Sequence, residues 1–415
     1  MTVKYGSYHK NIWLENKIGP PETICVMNNL VKYRIAASAF FFIQGFSVTS
    51  WVCRLPDIKA GFSLSDQELG VLLMALPAGQ LTAMPFSGGL VKRYGSCRIA
   101  RIGALVLPCW LTVLGLIPNR VLLFAALFLF GMAINLSNIA INTQGVGIER
   151  LYGKSILASF HGIWSLGGIG AILLSSYLAA QGISPKVNFV CAAALLISVY
   201  ILNYRNLLPN DSRNTEGSGQ RFGVLKLIKD PFLWIFGIIS FGGMGCEGIM
   251  NNWTSIYFKE TLGVRTEYIR VGLLVFMTAV TCSRFTADWF VRKWGGIVII
   301  RLAGCLIMAG FILMTVFSDF AIAAAGCALV GFGTSAIVPV CFGLVGKYGA
   351  VPVAVAITMV ASIGFLGFLI MPPLAGFISG QYSLRAALFL AGFLAFLAAQ
   401  LVVLTRATVL SGKSG

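Results

Sequence analysis

The sequence predicts an all-α integral membrane protein, with twelve transmembrane helices arranged as two pseudo-symmetric six-helix bundles. The first observation is composition: the 415-residue chain is 57% hydrophobic and only 11% charged, whereas soluble proteins carry about 25% charged residues. The second is the length of the apolar segments, which is about that of a helix crossing a bilayer. The third is a set of similar segments that recur at a constant separation. Together they indicate two related halves that face lipid.

The apolar segments are each about 20 residues long, enough to cross about 30 Å of hydrocarbon. Runs such as 122–134 and 386–404 do not alternate between polar and apolar residues, which excludes a β-barrel. We expect twelve spans, at residues 35–53, 68–91, 99–117, 121–147, 156–179, 187–204, 232–257, 269–290, 297–316, 321–345, 353–378 and 384–405.

Two repeated patterns indicate duplication. Val91-Lys92-Arg93-Tyr94-Gly95 resembles Val291-Arg292-Lys293-Trp294-Gly295, 200 positions further along the chain. At the same offset, Gly131 and Gly331 each begin a segment rich in small residues. Internal repeats within an apolar chain are typical of secondary transporters.

The distribution of basic residues predicts the orientation. If the N-terminus is cytoplasmic, 22 of the 31 Lys and Arg residues lie on the cytoplasmic side, eight lie outside and Arg284 lies within a span. By the positive-inside rule, both termini are then cytoplasmic. The net charge of +17 comes from basic residues that fix the orientation of the chain beside anionic lipid headgroups. We therefore expect no nucleic-acid partner. The predicted organisation is a tail at 1–34, bundles at 35–205 and 231–406, a linker at 206–230 and a tail at 407–415.

No enzyme chemistry or cofactor is predicted. The ten cysteines show no C-x-x-C spacing, so we interpret them as small apolar fillers and not as a metal site. The chain lacks the Gly-x-x-x-x-Gly-Lys-Ser/Thr loop that binds nucleotide phosphates, which argues against direct use of ATP. The expected partners are a small-molecule substrate, protons and the lipid bilayer, and we expect a monomer.

Several short motifs carry a resemblance to a known family. The segment Gly88 to Arg98 reads Gly-Gly-x-x-Lys-Arg-Tyr-Gly-x-x-Arg, and further motifs lie at 54–59, 64–70, 142–145, 159–168, 247–248 and 372–376. These resemble the major facilitator superfamily, and within it the fucose-permease-like and MosC-like branch of bacterial inner-membrane carriers. The resemblance implies a multi-pass protein of the bacterial inner membrane that works by alternating access. Lys92 departs from the Asp usual in the family loop, so an Asp-based clamp cannot form there.

Glu247 is the predicted proton-coupling residue, because it lies about 24 Å along the seventh span, within the membrane. A carboxylate there must face a watery cavity, pair with another group or stay protonated, and the last option suits a carrier of a coupling proton. The alternative is a neutral Glu hydrogen-bonded to a neighbouring helix for packing. Asn251 lies one turn further on the same face, and with Asn252 and Trp253 it is expected to bind and stack a polar ligand.

The first, fourth and fifth spans carry further candidate substrate contacts. Gln44 occupies the position in the first half that Glu247 occupies in the second. Its amide could contact a ligand or hydrogen-bond to a neighbouring helix, and the sequence favours neither role. His161 is expected to relay a proton, because an imidazole exchanges protons near neutral pH, or alternatively to lock the helix hairpin by bonding to Asn142. The remaining candidate contacts are Trp51, Trp164 and the stripe on the fourth span formed by Asn135, Asn138 and Asn142.

Charged residues at the cytoplasmic ends of the spans are expected to act as gates. Asp288 should pair with Arg284 or Arg292, each one helical turn away, because an acid at a helix C-terminus opposes the helix dipole. The other candidates are Lys92, Arg93 and Glu149. Simple solvated surface pairs are the alternative.

The expected function is secondary transport of a small polar solute, such as a sugar or a related metabolite, with proton coupling by symport or antiport. The alternatives are efflux of drugs or metabolites by proton antiport, which the aromatic-rich helices would suit, and a membrane sensor that transports nothing.

Overall fold

A computed structural model describes residues 20–153, 156–209, 230–346, 348 and 353–405. Within these ranges the side chains of residues 20–28, 158, 287, 288 and 353–355 are outside the description. Most of the predicted linker and the C-terminal tail therefore lie outside the described residues.

The described chain folds into twelve long helices without strands. They are α1 (Pro20–Cys53), α2 (Asp66–Tyr94), α3 (Ser96–Leu114), α4 (Arg120–Tyr152), α5 (Leu157–Ala180), α6 (Pro185–Asn203), α7 (Pro231–Ile256), α8 (Val271–Trp294), α9 (Gly296–Val316), α10 (Phe320–Val345), α11 (Val353–Gln381) and α12 (Leu384–Gln400). A short helix, Leu55–Gly61, follows α1, a π-helical turn at Tyr257–Thr261 extends α7, and a 3-10 turn at Leu401–Thr405 extends α12.

Eleven of the described helices are long and apolar enough to cross a membrane. For α8, the described part of the apolar segment is Val271–Thr286, and the side chains of the next two residues lie outside the description. Helix α1 begins at Pro20, well before the predicted span start at residue 35, and its described side chains, Asn29–Cys53, are long and apolar enough to cross a membrane. The all-helical membrane fold predicted from the sequence is confirmed.

Local sequence determines where several helices begin. Ser65 accepts a hydrogen bond from the Glu68 backbone while the Glu68 side chain accepts one from Ser65, a capping box that begins α2. Side chains also cap α4, α7, α10 and α12, at Asn119, Asp230, Asp319 and Ser383. These contacts satisfy backbone N–H groups that a helix start leaves without partners.

The two sets of six helices pack in the same order. Helix α1 packs on α5 as α7 packs on α11, α2 packs on α4 as α8 packs on α10, and α3 packs on α4 as α9 packs on α10. Between the sets, α2 contacts α11 and α5 contacts α8. The two pseudo-symmetric bundles are thus visible in the contacts themselves, and the interior between them is bordered by α5, α7 and α8.

The repeated loops at Gly95 and Gly295 have the same backbone conformation. Gly95 has φ 85° and ψ 141°, and Gly295 has φ 81° and ψ 153°. Both nitrogens donate a 2.9 Å hydrogen bond to the carbonyl four residues earlier, of Val91 and Val291. Positive φ is available to glycine at little cost, so this glycine is required at both positions of the duplicated turn.

The bundle has two ends, which we name by the chain. The terminal end carries Pro20, where the description begins, and the turns at Gly95 and Gly295. The far end carries the short helix Leu55–Gly61 and the π-helical turn Tyr257–Thr261.

Candidate functional site

A charged pair of the second half lies beside the first half. The Arg284 Nη2 atom of α8 lies 3.6 Å from the Glu247 Oε1 atom of α7, with side chains 32% and 18% exposed. The Arg284 Nη1 atom also donates a 3.2 Å hydrogen bond to Ser165 Oγ of α5. Arg284 therefore joins Glu247 of its own half to a helix of the other half, and both side chains of the pair are partly exposed.

Small residues bring α5 close to its neighbours around this pair. A side chain at Gly168 would come within 2.9 Å of both Met277 of α8 and Thr49 of α1. A side chain at Gly162 would come within 3.0 Å of the Phe285 ring. The glycines of α5 thus allow α8 to approach, which brings Arg284 within reach of Ser165.

His161 lies one turn from Ser165 on α5. Its ring packs edge-on against Phe41, with centroids 5.3 Å apart, and it lies within electrostatic range of Arg284. The alternative role of His161 is a hydrogen bond to Asn142, and the described side chains do not form it. The Asn142 amide instead donates to the Asn138 carbonyl, at 2.9 Å, and to the Asn138 side chain.

The predicted asparagine stripe of α4 divides into two parts. Asn135 accepts a 2.8 Å hydrogen bond from Ser87 of α2, so it joins two helices of the same half. Asn138 is exposed and Asn142 is partly exposed. The Asn135 oxygen is thus engaged by Ser87, whereas Asn138 is the most exposed member of the stripe.

Three predicted ligand contacts are buried. Gln44 is 3% exposed and donates a 3.0 Å hydrogen bond to the Ile134 carbonyl of α4, so the helix-to-helix interpretation applies in this conformation. Trp51 is 2% exposed and packs against Phe189. Trp253 is fully buried, and its indole donates to the Pro372 carbonyl at 3.0 Å. The indole rings are held by core packing and do not reach an open site.

Three other predicted contacts remain partly exposed. The Asn252 amide donates to the Gly248 carbonyl at 2.7 Å, within its own helix. Asn251 and Trp164 are partly exposed, and the Trp164 backbone lies where a side chain at Gly45 would clash.

Among the described bonds, the predicted gating residue that joins the halves is Arg284. The Glu149 carboxylate accepts hydrogen bonds of 2.7 and 2.8 Å from the backbone N–H groups of Ile156 and Leu157, so it caps the start of α5. The side chains of Lys92, Arg93 and Arg292 are exposed. The side chain of Asp288 lies outside the described residues, and its pairing with an arginine stays a prediction.

A second charged cluster closes the far end. Asp57 accepts hydrogen bonds from Arg54 at 3.1 Å and from Arg270 at 2.9 Å. The two arginine side chains are 2% and 1% exposed, and the Arg270 Nε atom also donates to the Cys53 carbonyl at 2.8 Å. Because Arg270 belongs to the second half and Asp57 to the first, this cluster joins the halves.

Lysines strengthen the same contact. The Lys59 ammonium lies 2.5 Å from carboxylates of both Asp66 and Glu260. Burial alone would lower the pKa of Lys59, but the two carboxylates raise it above its ordinary value. Lys259 donates to the Pro56 carbonyl at 3.2 Å. We call this set the far-end clasp: Asp57, Lys59, Asp66, Lys259, Glu260 and Arg270.

Toward the terminal end the pattern is different. Between the far-end clasp and the terminal end, the described residues form one hydrogen bond that joins the two halves. It runs from Arg284 of α8 to Ser165 of α5. Among the described residues, the halves are thus joined by more bonds at the far end than toward the terminal end.

The sequence matches the profile of the Major Facilitator Superfamily over residues 35–351. This chain belongs to that superfamily. An uncharacterised MFS-type transporter of Yersinia pestis is 30% identical over 359 residues, covering 86% of this chain and 91% of that protein. The membrane protein MosC of Rhizobium meliloti is 29% identical over 361 residues, covering 86% and 87% of the two chains.

Solved structures agree with the fold. The nucleoside transporter NupG superposes with a TM-score of 0.74 at 14% sequence identity, covering 92% of this chain and 99% of that one. The protein is therefore a transporter of the major facilitator superfamily and not an enzyme, and the predicted resemblance is confirmed.

Two features of this MFS transporter were not predicted from the sequence. The first is the Glu247–Arg284 pair, since we expected an arginine of α8, Arg284 or Arg292, to pair with Asp288. The second is the far-end clasp, for which a signal existed: Arg54, Asp57, Lys59 and Asp66 are charged residues concentrated in an apolar chain, and they fall in two motifs that carried the resemblance.

Proposed function

We propose that this MFS transporter is a proton-linked carrier of a small polar solute, with Glu247 as the proton site and Arg284 as the group that senses its charge. The single observation that carries the proposal is the partly exposed Glu247–Arg284 pair of the second half, which lies beside the first half. A charged pair within a membrane is costly to retain for packing alone, and residues of this kind mark substrate and proton pathways.

Protonation of Glu247 supplies a reason for the halves to move. The ionised carboxylate attracts Arg284, which in turn donates to Ser165 of the other half. Once Glu247 is protonated, this attraction is largely lost and Arg284 is free to change partner. A carrier that moves between two states needs such a difference in contacts between them.

The far-end clasp supports an alternating-access cycle. With both termini in the cytoplasm, as the basic residues predict, the far end faces the outside and this conformation is closed to the outside. Opening the opposite way breaks the contacts of Arg270 with Asp57 and of Lys59 with Glu260. We propose both six-helix bundles as the moving bodies and the bacterial inner membrane as the location.

Reconstitution into proteoliposomes tests the proposal. Solute uptake from a metabolite mixture is followed by mass spectrometry with an imposed pH gradient of either sign, in the parent protein and in Glu247→Gln. We expect flux that depends on the gradient in the parent and not in the variant. The sign of the effective gradient separates import from export. Gradient-driven flux that persists in Glu247→Gln removes Glu247 from the proton site, and an absence of flux in the parent contradicts transport of this class.

A further inference from the structure

We infer that the transported solute is a small organic anion, whose carboxylate replaces Glu247 as the partner of Arg284 when Glu247 takes up the coupling proton. This inference rests on the proposed function and adds the chemical class of the substrate. It follows from the geometry of the pair and from the charges that surround it.

The guanidinium of Arg284 has unused bonding capacity. Its described contacts are one hydrogen bond to Ser165 and one ion pair to Glu247 at 3.6 Å, which is longer than a charge-assisted hydrogen bond. A guanidinium has five N–H donors arranged to bind a carboxylate through two parallel bonds. With 32% of the side chain exposed, a second carboxylate has access to it.

Acids are scarce around this site. The helices that pack on α7 and α8 are chiefly α5, α9, α10, α11 and α12, and none of them carries an Asp or Glu within its bounds. One other acid lies on α8: Asp288, one turn from Arg284 toward the terminal end and followed one turn later by Arg292. Its side chain is outside the described residues.

The cations are also few. His161 of α5 is within electrostatic range of Arg284. Arg301 of α9 and Arg385 of α12 lie near helix ends, where they donate to Gln400 at 3.1 Å and to Ser318 at 2.7 Å. Arg270 lies in the far-end clasp. Glu247 is thus the described acid that balances Arg284.

This balance favours an anionic solute over a neutral one. With Glu247 ionised, the pair is neutral. If Glu247 binds a proton while a neutral solute enters, Arg284 is left as an uncompensated positive charge within the membrane, which is strongly unfavourable. If the solute brings one carboxylate, the sum of protonated Glu247, Arg284 and the solute is again neutral. The proton comes from the solution and forms an O–H bond on Glu247, and no bond of the solute changes.

Ligand-induced stabilisation of the full-length carrier in detergent tests the inference. The anionic probes are acetate, lactate, gluconate and benzoate, and the uncharged analogues are acetamide, lactamide, glucose and benzamide. Melting temperatures are compared at about pH 5.5 and about pH 8, so that the proton concentration differs strongly between the two conditions. A ligand that binds only the folded form raises the melting temperature.

We expect at least one carboxylate to stabilise the parent protein, more strongly at the lower pH, while its uncharged analogue does not. Glu247→Gln, which imitates the protonated acid, should bind the carboxylate at both pH values. Arg284→Gln should bind it at least tenfold more weakly, and Arg284→Lys should retain part of the binding because it keeps the charge. Arg301→Gln, which removes a positive charge whose described hydrogen bond is to Gln400, is the matched control and should behave as the parent.

Two outcomes overturn the inference: stabilisation by glucose or an amide and by no carboxylate, or carboxylate binding that is unchanged in Arg284→Gln. Each variant is used only if its melting temperature without ligand matches that of the parent. If Arg284→Gln does not fold, Arg284→Lys takes its place in the comparison.

The proteoliposome assay separates the proposed function from the inference that the solute is an anion. Uptake of a neutral solute driven by the pH gradient supports the proposed function and contradicts the anion, whereas uptake without pH dependence contradicts both.

Discussion

Asp57 and Arg270 are 213 positions apart in the sequence, and the Arg270 guanidinium donates a 2.9 Å hydrogen bond to the Asp57 carboxylate. The same carboxylate accepts a bond from Arg54 at 3.1 Å. One acid thus pairs with two buried arginines, one from each half of the transporter. The far end is closed by this contact and by Lys59, and its strength determines how easily that end opens.

Neutralising the acid should open the far end. In Asp57→Asn, both arginines lose their counter-charge, and we expect a loss of about 1–3 kcal/mol in the stability of the closed conformation. Cys53 reports the change, because it is fully buried and its carbonyl accepts from Arg270. In a background without the other cysteines, maleimide should label Cys53 faster in the variant than in the parent.

Arg265 provides the control for this prediction. It is exposed and lies over the ring of Tyr268, so Arg265→Ala removes a positive charge near the same end without touching the clasp. Its labelling rate should equal that of the parent. Equal rates in Asp57→Asn and in the parent would show that the acid does not hold the far end closed.

Close helix packing predicts different effects for two glycines of α2. A side chain at Gly79 would lie 1.9 Å from the Phe128 carbonyl of α4, a backbone atom that cannot move aside, whereas a side chain at Gly89 meets nothing within 4 Å. We expect Gly79→Ala to destabilise the fold by about 1–3 kcal/mol. Gly89→Ala should have little effect. Thermal unfolding and the yield of monodisperse protein measure both, and equal behaviour of the two variants would contradict the packing described here.

Glu149 should contribute to stability and not to gating. It accepts two backbone hydrogen bonds at the start of α5, and loss of a helix cap costs about 0.5–2 kcal/mol. We therefore expect Glu149→Ala to melt at a lower temperature while transport per folded molecule is unchanged. Arg150→Ala, which alters the exposed neighbour, should change neither quantity. A changed transport rate with an unchanged melting temperature would restore the gating role that the sequence suggested.

A tyrosine in the loop before α11 predicts a pH effect on stability. The Tyr348 hydroxyl donates to Asp230 at 2.9 Å, and burial together with this acid raises the pKa of Tyr348 from 10.0 to about 12. A group whose pKa is higher in the folded state contributes stability below its unfolded pKa, and this contribution is lost as the pH rises through the folded value.

The matched variant is Tyr348→Phe, which keeps the ring stacked on Phe232 with centroids 4.0 Å apart. The parent should be more stable than the variant by about 1–3 kcal/mol at neutral pH, since the acceptor is charged. This difference should shrink as the pH rises from about 10 toward about 12. Thermal unfolding of both proteins across that range measures it, and a difference that grows with pH would contradict the hydrogen bond.

The membrane fold and its duplication were predictable because they depend on local quantities. Segment length and hydropathy identify a spanning helix without knowledge of its neighbours. Gly95 and Gly295 were recognisable as one repeated turn because positive φ selects glycine wherever that turn occurs.

The candidate site was predictable only in part. Glu247 was identified from its position alone, because an acid far from both ends of a span is rare. Its partner was not identified, because whether Arg284 points to Asp288 on its own helix or to α7 depends on the rotation of α8 in the bundle. Trp51 and Trp253 were predicted to contact a ligand, but their rings lie on the packed sides of α1 and α7.

The sequence by itself determined that this protein is a helical membrane transporter of two related halves, because lipid selects for helix length, apolar composition and internally satisfied backbones. The tertiary structure decided which charges meet: Glu247 with Arg284, and Asp57 with Arg270. These contacts join residues from different helices, so they depend on distances and rotations that no local pattern encodes. The proposed mechanism depends on those distances.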